Sequence, residues 1–307
     1  MTADVVSIAS WNADLVSRVP RPIARGETLK ASAFEITPGG KGSNAAVAAA
    51  RQGARVALIA RVGDDTFGQM GLDLWRAEGI STAHVEIAAR ETSGVAQIMV
   101  YDDGDNSIAV YAGASAGLDA GHAQAARHTL AACRVVIASC EVPLAVTLEA
   151  FRMARAAGAS TVLNPAPAQP LPDEIIALTD VLTPNETEAP ILAALASDAP
   201  VDAAAHALLA RGARAVLVTL GAAGCMLYRD GETPQGQIGY PMAVVDTIGA
   251  GDTFNGALAA AIARGESLPE AMRWANAAAG LSVTGRGAIG GMPTLEQVRA
   301  LLGWHAR

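Results

Sequence analysis

The stretch Val245, Asp246, Thr247, Ile248, Gly249, Ala250, Gly251, Asp252, Thr253, Phe254, Asn255, Gly256, Ala257, Leu258 packs three chemical resources into one turn. Gly249 and Gly251 flank Ala250 and permit a tight turn whose N–H groups converge, and the alanine-rich run 257–264 behind them reads as a helix. Glycine-rich backbone at a helix N-terminus attracts anions. Asp252 stands where that turn meets the helix. A carboxylate there repels an anion unless it serves as a base or a metal ligand. Asp is also a good helix N-cap, so the stretch alone leaves both readings open.

Working outward, residues 214–220 read as a buried strand, followed by the Gly221 to Gly224 turn and a strand over 225–228. Beyond the central stretch come a helix over 269–283, a glycine-rich loop from Thr284 to Gly291, and a last helix over 295–302. Upstream, strands at 5–9, 55–62, 135–139, 160–163 and 181–183 alternate with helical runs at 45–51, 67–78, 118–132 and 144–157. That rhythm predicts an α/β fold with a parallel sheet between helices. It breaks once. Runs 95–101 and 107–111, split by Asp102, Asp103, Gly104, Asp105 and Asn106, predict a β-hairpin projecting from the sheet. Ala96, Ile98 and Val100 share one face of its first arm and Gln97, Met99 and Tyr101 the other, so a lid with two coverable faces is expected.

The 307 residues fit one α/β domain with an insertion. Half the residues are hydrophobic (51%) but few are aromatic (4%), so the core is built from Ala, Val, Leu and Ile at close spacing. A net charge of −8 argues against capture of nucleic acid or an anionic membrane, and points to a small-molecule partner. Cys133, Cys140 and Cys225 show no metal spacing and read as buried thiols without a disulfide. The N-terminus lacks a signal pattern, no apolar run reaches the roughly 18 residues of a span, and a cytoplasmic location is expected. The five histidines, His84, His122, His128, His206 and His305, are scattered without metal or triad spacing.

Several polar clusters fall where parallel strands end, which is where such sheets place ligands. Asn12 and Asp14 follow the first strand and share a face if extended; a simple turn is the other reading. Glu141 follows the strand at 135–139, as a site residue or a solvated glutamate. Asn185 and Glu188 share one side of a helix start, and the same spacing suits a capping box. Residues 38–44, Pro-Gly-Gly-Lys-Gly-Ser-Asn, enter a helix but are not a P-loop: Gly42 follows Lys41, and Glu35 stands where that motif has its first glycine. The glycine spacing also fails the dinucleotide fingerprint, and residues 34–38 make a poor parallel strand.

Taken in order, Asn12 with Asp14, the 39–44 segment, Glu141, Asn185 with Glu188, and 246–256 resemble the ribokinase branch of the PfkB carbohydrate kinases over essentially the whole chain. The resemblance implies a single ribokinase-like domain, residues 1–307, with lid strands inserted at about 12–36 and 94–112 that often pair subunits into a homodimer. It implies transfer of the γ-phosphoryl group of ATP to a sugar hydroxyl, with D-ribose as leading substrate. Fructose, 2-keto-3-deoxygluconate, a fructose phosphate or a nucleoside are alternatives, and a sugar-binding sensor is the non-enzyme rival. By the same resemblance Asp252 is the base, and the N–H groups of Gly249, Ala250 and Gly251 stabilise the transferring group. Asn12, Asp14, Gly40, Lys41, Asn44 and Glu141 hold the sugar, and Ala96, Ile98 and Ile108 cap it from the lid. Thr219, Gly221 and Gly224 contact the nucleotide, as does Asn185, which with Glu188 also organises Mg²⁺ through water. Asp246 and the carbonyls of Ile248, Ser282, Gly285 and Gly287 form a K⁺ site. Family members often carry Asn where Ser115 stands, and Ser where Gly291 stands near the cation site.

Overall fold

A computed structural model describes residues 2–303 of the chain. Its frame is a nine-stranded sheet in the order β13-β12-β11-β10-β9-β8-β1-β4-β5. The parallel members are β1 (Val5–Ala9), β4 (Val56–Gly63), β5 (Ser81–Ala88), β8 (Val135–Ser139), β9 (Ser160–Asn164), β10 (Val181–Leu182) and β11 (Ala215–Thr219). Antiparallel β12 (Gly224–Arg229) and β13 (Gln235–Ile238) close one edge. Central β1 is apolar almost throughout because helices cover both of its faces: Val5 and Ala9 enter one core, Val6 and Ile8 the other.

One core joins the alanines of α1 (Lys41–Arg51) to those of the Ala250–Ala263 and Leu268–Ser282 helices. Alanine buries little area per residue, so this core gains by close approach of helix backbones. Gly256 allows it, since a Cβ there would strike the carbonyl of Ala45. The second core, under the opposite face, is built on larger side chains such as Leu130, Phe151 and Leu208. Helix α2 (Thr66–Ala77) follows β4 on the first face and buries Trp75.

Above the strand ends stands a second, four-stranded sheet in the order β3-β2-β6-β7, made of β2 (Asn12–Arg18), β3 (Ala33–Gly39), β6 (Gly94–Val100) and β7 (Asn106–Tyr111). Residues 34–38 make a poor parallel strand because they are an antiparallel one, paired with β2. The helix expected over 118–132 is instead two short helices, Ala120–Ala125 and Arg127–Ala132, that meet at Ala126, with a 3₁₀ turn, Gly113–Gly117, before them. Edge strands β5 and β13 escape sequence reading because half their side chains face water. All three cysteines are buried and free. Trp274 is core. His122 completes a capping box with Asp119, His84 meets Thr129, and His305 lies outside the described residues. Among the described residues no helix is long and apolar enough to cross a membrane.

Candidate active site

The Ala250–Ala263 helix starts one residue after Gly249, whose left-handed backbone (φ 76°) turns the chain into it. Asp252 lies in the first turn, where N–H groups have no intrahelical acceptor and the helix dipole is positive. It is not the N-cap; that position belongs to Gly249, which makes no side-chain cap bond. The Asp252 carboxylate is 7% exposed and accepts a hydrogen bond from Asn44 Nδ2 at 2.8 Å. Burial raises its pKa, while the Lys41 ammonium and the Asn44 amide hold it back. Asn255, one turn on, donates to the Gly251 carbonyl at 2.9 Å and accepts from Thr183 Oγ1 at 2.6 Å, which braces the turn against β10.

Lys41 and Asn44 both sit in the first turn of α1, one turn longer than sequence periodicity indicates. Gly40 is its N-cap at φ 94°. Glu141, just past β8, receives the Lys41 backbone N–H at 2.8 Å and the Ser10 hydroxyl at 2.6 Å. It is therefore held by hydrogen bonds within the fold rather than free in solvent. Burial pulls the Lys41 ammonium down, and Asp252, Glu141, Glu188 and Asp14 together outweigh it and raise its pKa. Burial, then the charges of Glu141 and Asp252, push Asp14 up to about 7 against the pull of Lys41. These groups are thus one electrostatic unit around Lys41.

Asn12 and Asp14 are extended and share a face of β2, with the buried Ala96 directly across from Asp14 on β6. Ile98 lies two residues further along that face. Ile108 stands opposite Ile98 on edge strand β7 and is 55% exposed, so it forms a rim where Ala96 forms a wall.

On the other side, Asn185 bridges to Thr219 at the end of β11. Asn185 Oδ1 accepts from Glu188 N at 2.8 Å, and Asn185 N donates to Glu188 Oε2 at 2.9 Å. This is the reciprocal capping geometry that the spacing allows. It also leaves Glu188 close enough to Lys41 to act on it. Among the described residues no three His, Cys, Asp or Glu side chains stand together as a metal cage. A Cβ at Gly221 or Gly251 would meet nothing within 4 Å, so both backbones are open to a ligand. Gly224 is different: a Cβ there would strike the Gln237 carbonyl, so pairing with β13 accounts for that glycine. The Ala250 N–H spends part of its strength on Thr247 O at 3.3 Å.

Asp246 ties the central turn to the terminal loop: Oδ1 accepts from Ile248 N at 3.0 Å and Oδ2 from Gly287 N at 2.8 Å. The Asp246 and Val245 N–H groups both reach the Val283 carbonyl. Ser282, Gly285 and Gly291 pack against one another, and a Cβ at Gly291 would strike the Ser282 carbonyl. Both oxygens of the Asp246 carboxylate are thus taken by backbone N–H groups, and the loop has no room for a side chain at 291.

Sequence reading missed Ser10 and Asn255 as bracing residues, and no spacing signal marks either. A mostly parallel sheet that brings a buried carboxylate to an open helix N-terminus fits a phosphotransferase with an alcohol group as acceptor. Residues 2–295 match the pfkB family of carbohydrate kinases, and the chain belongs to that family. It is 38% identical over 304 residues to a ribokinase of Haemophilus influenzae, covering 98% of this chain and 99% of that protein. It is 35% identical over 303 residues to a deoxyribokinase of Salmonella typhi, covering 97% and 98%. The structure of Arabidopsis thaliana ribokinase complexed with ribose and ATP superposes with a TM-score of 0.91 at 31% identity, over 99% of this chain and 100% of that one.

Proposed function

We propose that this chain is an ATP-dependent kinase that converts D-ribose to ribose 5-phosphate. The observation that carries the reading is the buried Asp252 carboxylate at the open helix N-terminus, bonded to Asn44 and facing the Asp14, Glu141 and Lys41 cluster. Asp252 takes the proton of the sugar hydroxyl as its oxygen bonds the γ-phosphorus and the bond to ADP breaks. A pKa raised by burial makes it a better proton acceptor than a surface carboxylate. The N–H groups of Gly249, Ala250 and Gly251 receive the charge on the transferring group. Asn12, Asp14, Gly40, Lys41, Asn44 and Glu141 bind the sugar's hydroxyls, because amides and carboxylates match a polyol's donors and acceptors. Thr219, Gly221 and Gly224 line the nucleotide. Glu188 and Asn185 would hold the waters of Mg²⁺, which screens phosphate charge when bound. Asp246 with the carbonyls of Ile248, Ser282, Gly285 and Gly287 would hold K⁺, which would stiffen the anion-binding turn.

The chain is one domain, with β2, β3, β6 and β7 as its lid. The lid face opposite Asp14 carries the exposed Phe34, Ile36 and Tyr111 and docks a second copy of the chain. Buried free cysteines fit a reducing, cytoplasmic location.

A coupled ADP-release assay across ribose, 2-deoxyribose, fructose, fructose phosphates, 2-keto-3-deoxygluconate and adenosine tests the reading. Ribose turned over fastest supports it. A faster phosphosugar or nucleoside overturns the substrate, and no ADP release with any of them overturns the kinase in favour of a sensor.

A further inference from the structure

Helix α2 carries none of the residues that touch sugar, phosphate or cation in the reading above, yet three segments that do are fastened to it. The first fastening is Asp65, its N-cap. Asp65 Oδ1 accepts from Gly68 N at 2.7 Å and from the Ser93 hydroxyl at 2.7 Å, and Oδ2 accepts from Ser93 N at 2.8 Å. Ser93 is fully buried, also accepts the Gly63 N–H at 3.0 Å, and immediately precedes lid strand β6. The second is the Phe67 carbonyl, which accepts the indole N–H of Trp11 at 2.9 Å. Trp11 is fully buried and immediately precedes lid strand β2 and Asn12. The third is Trp75, whose indole donates to Ser43 Oγ at 2.8 Å, beside Asn44, and whose ring meets Trp11 edge-on at 5.4 Å.

Capping a helix requires one acceptor for one N–H in the first turn, and Gly68 supplies that bond. The remaining two bonds of Asp65 go to the root of β6, a stretch 28 residues away. Asn12 lies against the same root, since a Cβ at Gly94 would strike Asn12 Oδ1. The roots of the paired strands β2 and β6, and with them the place of Asn12, Asp14 and Ala96, are therefore fastened to the first turn of α2.

We propose that Asp65 is a positioning residue for sugar binding: by gripping Ser93 on the turn whose Phe67 carbonyl holds Trp11, it fixes both lid roots relative to α1. The proposal rests on the sugar-kinase reading only for the identity of what is positioned.

Asp65→Asn keeps the cap, because Asn caps as well as Asp, and turns an amide toward the Ser93 N–H. Ser93→Ala removes the hydroxyl bonds and leaves the cap. With the best sugar of the panel, each variant is expected to raise the sugar KM by about fivefold or more while kcat and the KM for ATP stay within about twofold. The double variant falls short of the product of the two, since they share a bond. Ser93→Thr, which keeps the hydroxyl, stays close to wild type. Should either variant fail to fold, Trp11→Phe removes the second fastening while keeping the ring, and the same split in KM is expected. Lower melting temperatures with sugar KM unchanged overturn the proposal. If the wild type phosphorylates no sugar, the kinase reading fails, and amide exchange of unliganded Asp65→Asn still decides this one. Exchange about tenfold faster or more in β2 and β6, with the Ala250–Ala263 helix unchanged, supports the clamp. No change, or a uniform change, overturns it.

Discussion

Asn44 Nδ2 and Asp252 Oδ2 meet at 2.8 Å across 208 positions of sequence, each in the first turn of its own helix. The bond joins the α1 start, to which the proposed function gives the sugar, to the turn to which it gives the phosphate. A reacting hydroxyl placed between them would exchange the amide for itself as hydrogen-bond donor to the carboxylate.

The first prediction follows from that bond. Asp252→Asn is nearly isosteric, and it removes the proton acceptor without moving either helix. It is expected to lower kcat by about 10²-fold or more, some 2.7 kcal/mol, with ATP affinity almost unchanged. Rapid-quench kinetics and nucleotide titration check this, and turnover within about threefold of wild type would remove Asp252 from the role of base.

Specificity is expected to reside in missing hydroxyls. A buried polar site rejects an analogue that leaves its groups unpaired far better than it rejects added bulk. D-Ribose should exceed 2-deoxyribose by about tenfold or more in kcat/KM, roughly 1.4 kcal/mol, and Asp14→Ala should erase most of that margin. The similarity to a deoxyribokinase makes the comparison decisive: preference for deoxyribose, or a margin unaffected by Asp14→Ala, would show that these residues do not read the 2-hydroxyl.

Asp14 also links stability to pH. Its folded pKa, about 7, lies above the usual 3.8 because burial and two neighbouring carboxylates disfavour the charge. The folded state therefore holds this proton more tightly. The associated stability is fully present below pH 3.8, declines between 3.8 and about 7, and is lost above that window. Asp14→Asn, which never ionises, should be more stable than wild type at pH 8, by at most on the order of 4 kcal/mol, and should match it near pH 4. Urea unfolding at both pH values checks this; an equal difference at each would mean that the effect is packing rather than charge.

Potassium is expected to activate, since Asp246 and the Gly287 N–H already pin the terminal loop to the anion-binding turn. Activation should be modest. Gly291→Ser should not strengthen it, because a Cβ there strikes the Ser282 carbonyl, and the variant should unfold at a lower temperature. Rates in sodium and potassium buffers for both proteins provide the check, with equal rates in the two cations counting against the site.

The lid's outer face should hold a dimer together. Light scattering is expected to show twice the chain mass for wild type, and Phe34→Lys combined with Tyr111→Lys should release monomers, because two charges would have to be buried in an apolar interface. A monomeric wild type at working concentration would leave that face without its proposed partner.

What the sequence determined by itself is local and periodic. The apolar runs at β1, β8, β9 and β11, separated by helical patterns, specify a parallel sheet, since only strands covered on both faces are apolar at successive positions. Gly249 and Gly251 before an alanine-rich run specify a helix entered through an anion-attracting turn, and the resemblance named the family. Tertiary structure alone decided the rest, because contact between distant segments leaves no mark in local spacing. Asn185 and Glu188 have capping and ligand readings at the same spacing, and the fold forms the reciprocal capping bonds. Glu141 is a bonded residue only because the end of β8 sets it beside Ser10 at the end of β1 and the Lys41 N–H at the start of α1. The hold of Asp65 on Ser93 exists because β4, α2 and the root of β6 come together, where the buried Ser93 N–H and hydroxyl must find an acceptor and the half-buried Asp65 carboxylate supplies it.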